Sequence, residues 1–220
     1  YVVNRDIPAG LDEAFGELAF AVAALCRRIV GKGGKLKLIE TSFYGDLAPY
    51  SQWLLRSVLA GVIEDFDRSM GYPTMLEYLR SMGVDYENRK TDDSKGFQSS
   101  LTIDLTAAID DHTMIHASVR GTVAEGTLMI SRINGFDKLY FEPDGHNLIF
   151  TYDDRPGVIG QIGASLANAG INIDDMRNPH DDKGTRSLAL LKVNQPVPDD
   201  VVQAIAEKID ARVAVYAPVQ

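Results

Sequence analysis

The stretch His146-Asn-Leu-Ile-Phe-Thr-Tyr152-Asp-Asp154-Arg-Pro156-Gly157-Val-Ile-Gly-Gln-Ile-Gly-Ala-Ser-Leu-Ala-Asn-Ala-Gly170-Ile-Asn172-Ile173 decides how the last third of the chain folds. It reads as a strand over 147–152, a turn at Asp-Arg-Pro-Gly, a helix rich in small residues over 156–169, and a second strand, 171–177, that opens near Asn172. Pro156 fixes φ and gives up an N–H that a first helical turn leaves unpaired anyway. The N–H groups of Gly157, Val158 and Ile159 then point out of the helix start. Together with the helix dipole they suit a small carboxylate, and the missing side chain at Gly157 lets it come close. Asp154 suits an ammonium, Asn172 offers a donor and an acceptor to a polar side chain, and Tyr152 adds a hydroxyl. These are the parts of a site for a free amino acid. The same residues also read as an N-cap at Asp154 and a turn residue at Asn172, and residue chemistry alone leaves both readings open.

Downstream, a turn over Asn178-Pro-His-Asp-Asp-Lys-Gly184 leads to a strand over 185–193, a helix over 198–208 and a strand over 211–217. Pro198, Asp199 and Asp200 open that helix and Lys208 falls in its last turn, charges that suit its dipole. The order βαββαβ is the ferredoxin-like motif. Its second strand ordinarily lies at a sheet edge, where free N–H and C=O groups call for pairing or cover.

Upstream, Leu11, Phe15, Leu18, Ala19, Val22, Leu25, Cys26 and Ile29 recur at helical spacing, with Asp12 and Glu13 near the start and Arg27 and Arg28 near the end. Gly31-Lys-Gly-Gly-Lys35 breaks this helix. It follows a helix and lacks a Lys-Ser/Thr ending, so it is not a phosphate loop. A strand over 35–43, a helix from about Pro49 to Asp67 and a shorter one from Pro73 to a stop at Gly83 come next. Period-two alternation then takes over at Phe97, Leu101, Ile103 and Leu105, against Gln98, Ser100, Thr102 and Asp104, and again at Ile115, Ala117, Val119 and Val123. Thr127 to Ile133 reads as the hairpin partner of the latter, with turns at Asp92-Asp-Ser-Lys-Gly96 and Ala124-Glu-Gly126. The middle of the chain is therefore an α+β domain with a largely antiparallel sheet.

Composition narrows the function. The 220 residues carry a net charge of −9, which argues against nucleic acid and against an anionic membrane as partner, since both call for a basic face. No apolar run approaches the roughly 20 residues of a membrane-spanning helix. The single cysteine, Cys26, lies on an apolar stripe and reads as a small core residue, in keeping with a cytoplasmic setting. The chain opens on Tyr1-Val-Val-Asn-Arg-Asp with neither an initiator Met nor a signal segment, as a piece of a longer polypeptide would.

Several constellations fail on inspection. Gly157, Gly160 and Gly163 have the wrong spacing for a dinucleotide fingerprint and lie on one helix face. His112 and His116 stand four apart beside Asp110 and Asp111. Strand alternation puts His116 on the face away from Ile115 and Ala117, and no Glu completes a metal-dependent hydrolytic motif. His180 sits in a polar turn and reads as exposed. No nucleophile motif and no catalytic residues are read, so nothing in this chain performs hydride transfer.

The stretch from His146 to Ile173 resembles an ACT domain, in the version that closes D-3-phosphoglycerate dehydrogenase, the NAD-dependent enzyme opening serine biosynthesis. Arg56-Ser-Val-Leu-Ala-Gly-Val-Ile-Glu-Asp65 and Arg132-Ile-Asn-Gly-Phe-Asp137 are similar to the intervening, or allosteric substrate-binding, domain of the long form of that enzyme. The resemblance implies an exit segment and helix over 1–34, an intervening domain over 35–145 and an ACT domain over 146–220. It implies L-serine, or a similar amino acid, bound for feedback inhibition across an ACT dimer. The residues carried over are Tyr152, Asp154, Asn172 and the helix start Gly157, Val158 and Ile159. The partners implied are a second copy of the chain in a homo-oligomer and the catalytic domains of the same polypeptide. NAD belongs to those catalytic domains, with no cofactor in this chain. Long-form relatives also imply an anion site in the intervening domain, for which Arg120, Arg132 and Lys138 are the candidates here, although Met129 and Glu142 stand where basic residues are expected. Two other readings remain: a module that only assembles the oligomer, and the matching region of an iron–sulfur L-serine dehydratase, which would need a cysteine-bearing partner.

Overall fold

The computed structural model describes residues 7–31, 33–91 and 99–219. Residues 1–6 of the expected exit segment, the turn over 92–96, and Phe97 and Gln98 lie outside them. The chain divides into two units, Tyr1–Ser131 and Arg132–Gln220, whereas the sequence reading draws its domain line between 145 and 146.

Helix α1 spans Ala14–Ile29, and Asp12 accepts the Ala14 N–H at 3.0 Å just ahead of it. Strand β1 (Lys35–Tyr44) leads through a 3-10 turn, Gly45–Tyr50, into α2 (Ser51–Val62), and α3 follows at Tyr72–Ser81. The strands β2 (Asp85–Asn88), β3 (Ser100–Ala108), β4 (Met114–Ala124), β5 (Thr127–Ile133) and β6 (Phe136–Phe141) complete a sheet ordered β2-β1-β3-β4-β5-β6. One face of this sheet is apolar: Ile39, Phe43, Leu101, Ile103, Leu105, Ala117 and Val119 are all buried. Leu18, Val22 and Cys26 of α1 and Leu54, Val58 and Leu59 of α2 are buried with them. Each such side chain contributes roughly 1.5–3 kcal/mol through its burial. Two glycines set how closely α1 packs. A Cβ on Gly61 would lie 2.5 Å from the Phe20 carbonyl oxygen, and one on Gly121 would lie 2.7 Å from Leu18 Cδ1. The Cys26 thiol reaches the carbonyls of Ile103 and Ala117 at 3.4 and 3.2 Å, and burial pushes its pKa far up, so it is a core group.

The second unit contains β7 (Gly145–Asp153), α4 (Val158–Asn168), β8 (Ile173–Arg177), β9 (Arg186–Val193), α5 (Asp199–Ile209) and β10 (Val213–Val219). Their sheet is ordered β10-β7-β9-β8, the arrangement of the βαββαβ motif, with β8 at one edge as the sequence implies. Strand alternation sends Leu148, Phe150 and Tyr152 of β7 and Ala189, Leu191 and Val193 of β9 to one face. Val158, Ile162 and Leu166 of α4 and Val202, Ile205 and Ile209 of α5 meet them at helical spacing. Gly170, at φ +72, ends α4 and lets the Ile171 N–H reach back to the Leu166 carbonyl at 2.9 Å. The edge strand is short, bulged between Ile173 and Asp175, and carries Asp174, Asp175 and Arg177. Such an edge discourages indiscriminate pairing.

Four expectations need correction. Helix α2 stops at Val62 instead of near Asp67, because Ile63 is already extended and Asp65 turns left-handed at φ +59. Strands β2 and β6 are absent from the sequence reading, and β2 runs parallel to β1 within an otherwise antiparallel set of described pairings. Pro156 lies in the turn and not in the first turn of α4, because Gly157 takes φ +91 and the helix begins at Val158.

Candidate functional site

The candidate site is the turn between β7 and α4. Strand β7 holds register with β9 as far as Asp153 opposite Arg186, after which Asp154 leaves the sheet with its N–H on the Thr185 carbonyl at 3.0 Å. Arg155 anchors the turn through the Ile209 carbonyl. Gly157 then supplies the left-handed residue that aims the chain into the helix, and no atom lies within 4 Å of where its Cβ would be. The start of α4 has no side-chain cap and no acidic residue in its first turn. The dipole's positive end is therefore unopposed from within the helix. Val158 is buried and Ile159 half-buried, so their backbone N–H groups are positioned by a packed core.

Asp154 is not the cap of α4. Its Oδ1 accepts the Ser187 hydroxyl at 2.8 Å, and the His180 Nδ1 lies 3.6 Å from the same oxygen. Ser187 is fully buried, and its Oγ stands 2.9 Å from the His180 Nδ1. Tyr152, 1% exposed, lies opposite Ser187 in the sheet, beneath the turn. Its hydroxyl accepts from Asn178 Nδ2 at 2.9 Å, and burial pushes the phenol above its ordinary range. Serine, histidine and aspartate occur together here in the wrong order for hydrolysis. The serine sits between the other two, and its buried oxygen is out of reach of a substrate carbonyl.

Asn172 lies elsewhere. It is exposed just ahead of β8, with its N–H on Asn194 Oδ1 at 3.0 Å and its Nδ2 on Asp174 Oδ1 at 3.1 Å. Ile173 is in register with Val193, at the far end of β9 from Arg186. The structure thus brings together Tyr152, Asp154 and the helix start at Gly157, Val158 and Ile159, and leaves Asn172 at the opposite end of the sheet.

Beside the turn opens a polar cavity of about 450 Å³ lined by Asp153, Asp181, Lys183, Thr185, Arg186 and Arg212. Its acids are committed: Arg212 grips Asp153 with two bonds of 2.9 and 3.0 Å, which holds that carboxyl below the usual range. Arg186 Nε holds Asp181 at 3.1 Å.

The three anion candidates lie on three strands, Arg120 on β4, Arg132 on β5 and Lys138 on β6. Arg120, in the first unit, donates Nε to Thr102 Oγ1 at 3.0 Å and lies over the Tyr44 ring at 5.2 Å. Arg132 and Lys138 belong to the second unit, Lys138 in β6 at φ +59. His116 is exposed and reaches Thr106 Oγ1 at 2.8 Å, and the Asp110 carboxylate accepts the N–H groups of His112 and Thr113. Among the described residues, no helix is long and apolar enough to cross a membrane.

Sequence reasoning did not single out Ser187, placed Asn178 only in a turn and took His180 only as a surface residue. The one available signal was a small polar residue, Ser187, opening the apolar run Leu188-Ala-Leu-Leu191.

No protein-family model matches the chain. Among curated proteins it is 36% identical over 161 residues to D-3-phosphoglycerate dehydrogenase of Mycobacterium tuberculosis (strain ATCC 25618 / H37Rv), covering 71% of this chain and 29% of that protein. It is 30% identical over 219 residues to the enzyme of that name from Mycobacterium leprae (strain TN), covering 96% and 38%. The match to that from Synechocystis sp. (strain ATCC 27184 / PCC 6803 / Kazusa) is 23% over 178 residues, covering 80% and 31%. The chain spans about a third of the length of these relatives. Over most of its length, then, this chain is similar to one partial region of D-3-phosphoglycerate dehydrogenase.

Proposed function

We propose that the chain is the regulatory portion of a D-3-phosphoglycerate dehydrogenase and binds L-serine between two copies of its second unit. In this reading the α-carboxylate meets the N–H groups of Gly157, Val158 and Ile159, and the ammonium pairs with Asp154. Asn172 of the second copy meets the serine hydroxyl. Tyr152 supports the turn from below. NAD is held by catalytic domains outside this chain, and serine inhibits them by favouring one arrangement of the paired units, a coupling that is typically about 1–3 kcal/mol.

The observation that carries the reading is the placement of Asp154 and Asn172 at opposite ends of one sheet whose edge strand is β8. A two-fold axis beside β8 runs two such edges antiparallel and sets the Asn172 end of one copy against the Asp154 end of the other. A site split in this way makes ligand binding and pairing interdependent, which is what a regulator of an oligomer requires.

Calorimetric titration of L-serine into the chain, at a concentration where sedimentation shows pairs, tests this. Saturable heat with one serine per chain, lost in Asn172→Ala, is the expected result. A folded pair that gives no heat would refute serine binding and leave assembly as the function of this region.

A further inference from the structure

We propose that His180, bridged by Ser187, sets the charge that Asp154 presents to an amino-acid ammonium and so makes effector binding depend on pH; this rests on the amino-acid reading above. The geometry is a triangle. The Ser187 Oγ stands 2.8 Å from Asp154 Oδ1 and 2.9 Å from His180 Nδ1, and the two outer groups are 3.6 Å apart. A serine hydroxyl has one proton. Given to Asp154, it leaves Oγ to accept from Nδ1–H, so the imidazole carries its proton on the nitrogen that faces the carboxylate. Ser187 is fully buried and therefore fixed, while the side chains of His180 and Asp154 are 56% and 39% exposed, open to protons and to ligand.

Histidine is the side chain whose charge ordinarily changes between pH 5 and 8. When His180 gains its second proton, the imidazolium pairs with Asp154, offsets its charge and competes with an incoming ammonium. When it loses that proton, Asp154 is left to the ligand. Affinity therefore rises as pH rises and that proton is lost. The other charges around the imidazole have partners of their own. Asp153 of β7 is held by Arg212, and Asp181, next in the turn, by Arg186 and Thr185. Arg155 of the β7–α4 turn reaches the carbonyls of Asp153 and Ile209. Asp182 and Lys183 are adjacent, exposed and opposite in sign, and Ser187 of β9, which faces His180, and Tyr152 of β7, opposite Ser187, are uncharged.

The test is calorimetric titration of L-serine into the 220-residue chain at about pH 5.5, 6.5 and 7.5, with His180→Asn and Ser187→Ala alongside. Wild-type affinity is expected to fall about two- to fivefold from the highest to the lowest pH, the scale of a partly exposed ion pair. His180→Asn holds one affinity throughout. Ser187→Ala, which removes the bridge, weakens binding about tenfold at every pH. Clear serine heat with the wild-type pH slope retained in His180→Asn, or with no pH slope in the wild type, overturns the coupling and leaves serine binding standing. Absence of heat at every pH overturns the amino-acid reading, and the claim about its pH dependence falls with it.

Discussion

Asp154 and Asn172 stand at opposite ends of β9: the turn bearing Asp154 follows the Asp153–Arg186 pair, and Asn172 precedes the Ile173–Val193 pair. At 3.4 Å per strand residue, the seven steps from Arg186 to Val193 separate them by roughly 24 Å, too far for one amino acid to touch both. Complementation decides whether they act together across a pair. Asp154→Asn and Asn172→Ala chains should each fail to bind serine alone. Mixed and re-equilibrated, they should recover about a quarter of the wild-type sites, since half the pairs are mixed and each mixed pair has one intact site. Calorimetric stoichiometry measures this, and no recovery on mixing would place both residues' roles within one chain.

Gly157 is needed for its backbone. At φ +91 with open space around its Cβ position, Gly157→Ala meets no neighbour but does pay the left-handed penalty. The expected loss is about 1–2 kcal/mol of stability, read from urea denaturation, together with weaker serine binding as the N–H groups at the start of α4 tilt. A variant as stable as wild type would mean the turn relaxes to negative φ.

Two helical glycines should respond oppositely to the same change. In Gly61→Ala the new methyl would sit 2.5 Å from the Phe20 carbonyl oxygen and 2.9 Å from Ala23 Cβ, so α1 and α2 must separate, at a cost of about 1–3 kcal/mol. In Gly160→Ala no atom lies within 4 Å, and the helix gains up to about 1 kcal/mol from the lost flexibility of glycine. Paired denaturation midpoints report both. A destabilised Gly160→Ala would mean that a neighbouring copy packs on that face.

The second unit was legible because its signals are local: alternation along 147–152, helical spacing from Val158 to Leu166, and turn residues at Gly157 and Gly170. Strand β2 was not, since Asp85-Tyr-Glu-Asn88 shows no apolar alternation and takes its place by backbone pairing with β1. In β6 the left-handed residues Lys138 and Tyr140 spoil the period-two pattern, leaving Phe136, Leu139 and Phe141 buried at uneven spacing. The end of α2 was hidden by Ile63 and Phe66, which keep helical spacing after the helix has stopped, Phe66 being buried all the same. At the site, Asp154 and Asn172 could be chosen from their chemistry. Ser187 could not, because it meets Asp154 only through the β7–β9 register, 33 positions along the chain.

Acid should loosen the turn that presents His180. The buried Asp181 carboxylate accepts the backbone N–H groups of Thr185 and Arg186 at 2.8 and 3.1 Å and the Arg186 Nε at 3.1 Å. These bonds, the Arg186 N–H first among them, hold its pKa down to about 2. An aspartate in the unfolded chain titrates near 3.9, so the folded state binds this proton less readily. The stabilisation is therefore complete above about pH 4 and is lost as pH falls toward about 2. Asp181→Asn keeps one acceptor oxygen and loses the charge. Urea midpoints of wild type and variant should differ most near neutrality and converge as the pH approaches 2, whereas a gap that stays constant with pH would show that the turn depends on the shape of the side chain and not on its charge.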